Sequence, residues 1–596
     1  MTITQIICLV VEVLLAVLCG FLIVKKSQKN TLEKWVSLIT ISIIAIVYTV
    51  FYTKVLAQLL VILGLSGLGG FLIIRKSQKN TLEKWVSLIT ISIIAIVYTI
   101  FYTKVLAQLL VVLGLGGLGG FFIIRKSEKH DLVKWVGLFI LIAMALTWIF
   151  GAGAYNNGTF YDYGFNRLGL TDIPNMFYYA LNFAGDKIIF LLALGCFYAV
   201  LSKTKGYKSL VNDFAKAFKR NELVFILCVS LIFVIMTTLF TQTFIPLIFV
   251  PFMVSIIVKM GLDKLTAFST TFGSILVGTL GLTYGGEGLY WFNYYTGLTV
   301  STGMLYRLIV LVVAYILFNI FNVLHAKKIL KENNVNEKAT DPFEIEEVED
   351  RASYWPILVI FALVLIITVL GYIGWSSNFG ITVFANFHNW LMGLKLGELE
   401  IFRSILGTLS KEAVFGAWDL FHISVVLVIA SILVALIGKV KLNDFISAIG
   451  EGAKKLSKPI ILFIGIYMIF ITATTYMSSY MPTINNLIFE GVTKFNPFLV
   501  SLSAFISNIF HADFGYTGFA IGTYFVNTYS SNVELIQLIF TTIYGFVQLC
   551  IPTSGILLIG LSYLDIKYKT WIKYIWLFIV GILVILLALF AILAYI

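Results

Sequence analysis

Apolar residues run through this chain in blocks of about twenty, the length a helix needs to cross a hydrocarbon core. Ile3–Val24, Val36–Thr53, Val55–Ile74, Met304–Val323, Tyr354–Gly374, Ile460–Tyr480 and Trp571–Ile596 are such blocks, and with shorter pieces the pattern predicts twelve to fourteen spans or half-spans. No cleavage site follows the first block, so it is expected to remain as a helix. Two polar stretches, Ser209–Asn221 and Asn443–Lys455, keep an apolar stripe beneath a basic face, as helices lying in the membrane interface do. They open alike, on Asn212-Asp213-Phe214 and Asn443-Asp444-Phe445. A polar-interrupted segment follows the first and an ordinary span the second, so the likeness is read as local.

A duplication organises the N-terminal part. Gly20–Gly69 and Gly70–Gly119 agree at 45 of 50 positions, and a third copy starts at Gly120 and diverges after Trp135. Each unit runs from a basic loop through two apolar runs that turn at Lys54 or Lys104, the pattern of a helical hairpin. Residues 1–128 are thus a module of duplicated transmembrane hairpins, expected to be peripheral to any site. Residues 129–325 form the first half of a core, 326–352 an acidic cytoplasmic linker, and 353–596 the second half.

Within the core, four apolar stretches are broken by polar or glycine-rich clusters. Thr237–Thr243 interrupts a predicted re-entrant hairpin over 222–259, and Gly278–Gly288 breaks the helix predicted over 264–300. Ser507–Gly518 interrupts a hairpin over 497–531, and Gln548–Gly555 breaks a helix over 535–563. Irregular backbone at membrane depth is tolerated only where protein or a water-filled cavity surrounds it, so such breaks mark binding sites. A hairpin and broken helix entering from the cytoplasm, then the same pair entering from outside, make an inverted repeat. The expected fold class is all-α: a polytopic membrane protein with two opposed re-entrant hairpins and broken helices.

Composition agrees. The 596 residues are 60% hydrophobic and 12% charged, with a mean hydropathy of +0.97. The net charge of +12 could suggest nucleic acid, but its placement argues against that partner. Lysine and arginine crowd short loops (Lys25, Lys26, Lys29 and Lys34; Lys203–Arg220; Lys439–Lys458), whereas Gly153–Gly185, read as an external loop before a return span from Lys187, has only Arg167. That alternation places the basic loops in the cytoplasm. A multi-pass cell-membrane protein of bacterial plasma-membrane type is expected, with the lipid bilayer and a small solute as partners; a homodimer is compatible with it. The five cysteines lie in apolar stretches without paired spacing and imply neither disulfides nor a metal site.

The candidate substrate- or ion-binding residues are those of the breaks. They are Thr237, Thr238, Thr241, Gln242, Thr279, Thr283, Gly285, Gly286 and Glu287 in the first half. In the second half they are Ser507, Asn508, His511, Asp513, Gln548, Pro552, Thr553, Ser554 and Gly555. Two acids and no lysine or arginine stand in the breaks, which suits an amino acid or peptide with a positive group, or a carboxylate taken up with a proton or Na⁺. No other cofactor is implied. Ser507, His511 and Asp513 are too close on one tip for the converging geometry of a hydrolytic triad, so an enzyme is not expected.

Leu146-Thr147-Trp148-Ile149 running into Gly151-Ala152-Gly153, the Thr237–Pro246 tip, Gln548-Leu549-Cys550-Ile551-Pro552-Thr553-Ser554-Gly555 and Trp571-Ile572-Lys573-Tyr574 resemble the YfcC/DcuC carriers. The resemblance spans roughly Lys129–Ile596 and implies a secondary active transporter with a scaffold domain and a mobile domain in elevator-like motion. It also implies a C4-dicarboxylate or a basic amino acid as cargo. Thr283-Tyr284-Gly285-Gly286-Glu287 and His511-Ala512-Asp513-Phe514-Gly515 depart from the family's patterns at these places, so the cargo does not carry over. The residues favour an amino acid or peptide; the alternatives are a C4-dicarboxylate carrier, a transport-inactive sensor or interaction protein, and a membrane enzyme.

Overall fold

A computed structural model describes residues 131–156, 158–332, 342–343, 352–406, 414–474 and 479–595. The chain divides into two units, Met1–Phe122 and Ile123–Ile596, and every described residue belongs to the second. The duplicated hairpins of 1–128 and most of the linker 326–352 lie outside the described residues. Among those described, nine helices are long and apolar enough to cross a membrane.

The first half opens with α1 (Asp131–Ile149) and a two-stranded ribbon of β1 (Ala152–Asn156) and β2 (Thr159–Gly164). Next comes α2 (Ile173–Ser202), with a proline in its first turn, where an amide proton is not needed. This helix corrects the boundary drawn from sequence, where residues 153–185 read as a loop. Asn175, Asn182 and the paired Tyr178 and Tyr179 suggested solvent, yet tyrosine belongs equally at the interfacial end of a span. As the fifteenth residue of the helix, Lys187 lies about 21 Å along its axis, close to the middle. The amphipathic α3 (Lys205–Phe218) is capped by Thr204, whose hydroxyl accepts from the Tyr207 amide at 3.3 Å.

Then α4 (Glu222–Leu239) and α5 (Val250–Lys259) form the two arms of a hairpin. After it, α6 (Lys264–Phe268) and α7 (Ser274–Gly278) are joined through a π turn at Ser269–Gly273. A 3₁₀ turn at Thr279–Gly281 follows, the chain unwinds over 282–286, and α8 (Glu287–Thr296) resumes. The long α9 (Met304–Glu332) closes this half.

The second half begins with α10 (Trp355–Tyr372), the short α11 (Trp375–Phe379) and α12 (Val383–Met392). A small ribbon of β3 (Lys395–Leu396) and β4 (Leu399–Glu400) leads to α13 (Ile401–Leu406) and α14 (Leu420–Ile437). The amphipathic and apolar stretches of 443–480 are one 32-residue helix up to Ala473, α15 (Leu442–Ala473), with Pro459 at their junction. After α16 (Met481–Ile488), a second hairpin has α17 (Pro497–Phe510) as one arm. Its other arm is α18 (Phe514–Thr517) and α19 (Thr523–Thr528), joined by a π turn at Gly518–Gly522. The chain ends on α20 (Val533–Cys550), α21 (Gly555–Tyr563) and α22 (Tyr568–Tyr595).

Burial follows membrane rather than water-soluble rules. Leu305, Leu308, Val312, Ile316 and Ile320 lie exposed at helical spacing along α9, a face suited to lipid. The polar residues of the same region turn inward and pair with one another. Ser274 donates to Ser230 at 2.8 Å, Asn319 to Ser230 at 3.0 Å, and Ser269 to Asn322 at 2.6 Å; such bonds tie helices together where apolar contact adds little. The strongest pairing joins α2 and α15 in opposite directions. Gly452 lies against the backbone of Gly195 at one end, and Thr472 donates to the Met176 sulfur at 3.0 Å at the other.

Candidate functional site

Every backbone polar group within a membrane protein needs a partner, and the first break shows where they go. The amides of Tyr284 and Gly285 donate to the Thr238 carbonyl at 3.1 and 2.6 Å, and the Gly286 amide donates to the Phe240 carbonyl at 2.9 Å. The Thr283 hydroxyl adds a bond to Thr238 at 3.2 Å. The unwound strand is therefore sewn onto the tip of the first hairpin. A β-carbon on residue 285 would stand 2.4 Å from the Phe240 carbonyl oxygen, and Gly286 has φ +93°, so both glycines are required by the geometry. From the other side, the Thr241 amide donates to Tyr372 at the end of α10 at 2.8 Å, and Asn378 of α11 donates to the Tyr284 carbonyl at 3.2 Å.

The first carbonyls of the unwound stretch are also met. Arg307, fully buried in the first turn of α9, donates to the carbonyls of Leu282 at 2.7 Å and Thr283 at 3.4 Å. It also bonds the carbonyls of Val300 and Thr302. At the second break the last carbonyls of the half-helix itself, those of Leu549 and Cys550, receive the Trp571 indole at 3.1 Å and the Tyr568 hydroxyl at 2.5 Å. The helix runs unbroken to Cys550, which narrows the second break to 551–554 and leaves Gln548 buried inside α20. Ser554 caps α21 by accepting from the Leu557 amide at 3.4 Å. Thr553 is buried beside it, and Gly555 abuts Phe463 of α15.

The second hairpin packs its tip along α8. Gly288 faces Phe514, Gly515 faces Trp291, and Phe292 stacks on Phe514 with ring centres 4.7 Å apart. Asp513 caps the returning arm, its carboxylate accepting from the Gly515 amide at 2.8 Å. Behind it lies a buried network. His511 Nδ1 is 3.1 Å from the Ser507 hydroxyl and 3.0 Å from that of Thr517, which donates to the Asn508 oxygen at 2.9 Å. His511 Nε2, Asn508 Nδ2 and the Thr241 hydroxyl oxygen are buried without a hydrogen-bond partner.

Charge gathers where these elements meet. Glu287, first residue of α8 and hydrogen-bonded by the Trp291 side chain, interacts electrostatically with Lys187, Asp513 and Asp186. Lys187 Nζ pairs with Asp186 at 3.0 Å and also feels Tyr467 of α15. Tyr544 of α20 faces Asp513, Tyr467 and Glu287. So Glu287 and Asp513, distant in sequence, share one centre. The centre also holds Asp186, Lys187, Tyr467 and Tyr544, none of which stands in a break. Lysine inside a span was the one signal that could have found them, and the misplaced helix start concealed it.

The remaining candidates surround that centre. Thr237 packs on Gly278 and bonds Phe233 at 2.8 Å, while Thr279 bonds Leu276 at 2.6 Å, so both hydroxyls serve their own helices. Gln242 lies half-buried in the hairpin turn, where its carbonyl accepts from the Ile245 amide at 3.3 Å. Gly555 lies against Phe463, whose ring centre is 5.0 Å from that of Tyr467 one turn further along α15.

A family model for the C4-dicarboxylate anaerobic carriers, DcuC, matches residues 82–595. The chain belongs to the DcuC family. The match begins inside the second copy of the duplicated unit, so part of the duplication falls within the family's length, which the resemblance alone had put outside. The YdaH transporter of Alcanivorax borkumensis, a solved structure, covers 78% of this DcuC-family chain and 98% of its own at 12% identity and a TM-score of 0.33. No curated protein matches. A DcuC-family chain with nine apolar helices among its described residues is a multi-pass membrane protein of a carrier family.

Proposed function

We propose that this protein is a secondary active transporter whose cargo is a small carboxylate-bearing metabolite with a positive group, an amino acid or peptide in preference to a C4-dicarboxylate. The observation that carries this reading is the central charge balance: Asp186, Glu287 and Asp513 against Lys187 alone among the described residues. An excess of acid in a low-dielectric interior favours a cationic partner. The cargo's carboxylate would be met at the second hairpin by Asn508 Nδ2, a donor without a partner among the described residues, while His511 Nε2, left an acceptor because Nδ1 donates to Thr517, would suit the cargo's positive group. Two hairpins, each docked on an unwound or half-length helix, fit the inverted repeat expected from the sequence. They suit an elevator-like exchange of access rather than an open pore.

A C4-dicarboxylate is the second reading, favoured by the family's description and by Lys187, which could hold one of two carboxylates. Counterflow in proteoliposomes decides between them. The first reading expects labelled arginine or a lysyl dipeptide to exchange saturably and succinate not to compete. Glu287→Gln is expected to abolish that exchange. Exchange of succinate alone would establish the second reading, and conductance steps in a planar bilayer would replace both with a channel.

A further inference from the structure

Helix ends at a break expose carbonyls that carry the negative end of the helix dipole, and transporters commonly fill such places with a metal cation. Here the chain fills them itself. At the first break the carbonyls of Leu282 and Thr283 are held by Arg307. The same guanidinium bonds the carbonyls of Val300 and Thr302, and no carboxylate pairs with it among the described residues. It is wholly buried. A charge so placed, whose hydrogen bonds go to four carbonyl oxygens while its Nε has no partner among the described residues, resembles a bound monovalent cation in its ligands.

The second break supports the comparison. Arg307 and Trp571 are each the fourth residue of the helix that follows a broken span, α9 and α22 respectively. Both reach back to main-chain carbonyls at the break before them, Arg307 to the first unwound residues Leu282 and Thr283 and Trp571 to Leu549 in the last turn of α20. At the second break neutral donors, Trp571 and Tyr568, do this work. At the first break the position carries a full positive charge, which a cap alone does not need.

We propose that Arg307 is a tethered cation standing in place of a sodium ion at the first break, so that this break binds no Na⁺ and transport does not draw on Na⁺ there. The second break is likewise filled from within, by Trp571 and Tyr568, so neither break is expected to hold Na⁺. This rests on the transporter reading for its consequence, but its test needs no cargo.

Purified protein in detergent is assayed for ²²Na⁺ binding by scintillation proximity, and its melting temperature is taken in sodium and in choline chloride. Wild type is expected to bind no ²²Na⁺ saturably and to melt at the same temperature in both salts. Arg307→Lys, which keeps the charge, is expected to behave likewise. Arg307→Gln, which keeps a donor but loses the charge, is expected to melt several degrees lower in choline and to regain stability in sodium. Saturable ²²Na⁺ binding by wild type, or a Gln variant as stable in choline as the Lys variant, would overturn the proposal. Because wild type alone gives a decisive readout, a misfolded variant does not rescue it. Failed counterflow with an intact salt result would count against the transport reading only.

Discussion

A lysine midway along a thirty-residue apolar helix has no bulk water to hold its charge, so its neighbours must. Lys187 finds Asp186 at 3.0 Å and interacts with Glu287 across the site. Lys187→Met is therefore expected to remove counterflow activity and lower the melting temperature. Adding Glu287→Gln to that variant should restore part of the stability, with a coupling of about 1–3 kcal/mol in a double-mutant cycle. No recovery in the double variant would separate the two residues. Gly285→Ala, whose β-carbon would meet the Phe240 carbonyl at 2.4 Å, is expected to abolish exchange while far-ultraviolet circular dichroism stays unchanged. At this scale the acids were legible and their partners were not. Glu287 and Asp513 are conspicuous because carboxylates among glycines in an apolar run demand a reason. Tyr467 and Tyr544 sit in regular helices, and Arg307 lies in the first turn of α9, a whole helix beyond the break it serves, so nothing in the sequence ties them to the site. Only the packing of α2, α9, α15 and α20 around the tips gives them roles.

Elements were read more securely where the chain breaks than where it continues. Clusters such as Thr237–Thr243 and Gly278–Gly288 announce themselves by polarity, whereas helix ends depend on tertiary cover. For that reason α2 reached thirteen residues further toward its N-terminus than residue 186, and Gln548 stayed helical. The turn between the first hairpin and the first broken helix offers a check on how the basic side is held. There Asp263 accepts from the Thr266 amide at 3.0 Å and the Thr266 hydroxyl at 2.5 Å, and pairs with His325 Nε2 at 2.9 Å. Burial pushes its carboxyl upward, but the hydrogen bond and charge of His325 and the bonds from Thr266 hold it below the usual range. A carboxyl lowered in the folded state adds stability above its unfolded value of about 4. That contribution is lost as pH falls through the lower folded value. Asp263→Asn should thus reduce stability at neutral pH by roughly 1 kcal/mol, the worth of a helix cap. The gap to wild type should close in melting curves taken below about pH 4. A gap unchanged by acid would remove the charge from the account.

For the molecule as a whole, the duplication and the family length overlap only in part. The family match begins at residue 82, within the second copy. Deleting residues 2–69 leaves that entire length and is expected to preserve counterflow. Deleting 2–128 cuts 47 residues into it and is expected to destroy activity or expression. Equal activity of the two truncations would make the whole duplicated module dispensable. The order of hairpin and broken helix in each half was legible from the sequence because each break carries its own polar signature. Their meeting place was not, since it is set by one crossing. There Gly545 of α20 lies against the backbone of Leu280, where even a β-carbon would stand 2.4 Å from the neighbouring main chain. Two broken helices that touch main chain to main chain leave no room for a side chain where they cross. Adaptation to a new cargo has to work around that crossing, through positions such as Tyr467 of α15 and Tyr544 of α20, since the crossing itself admits no residue larger than glycine.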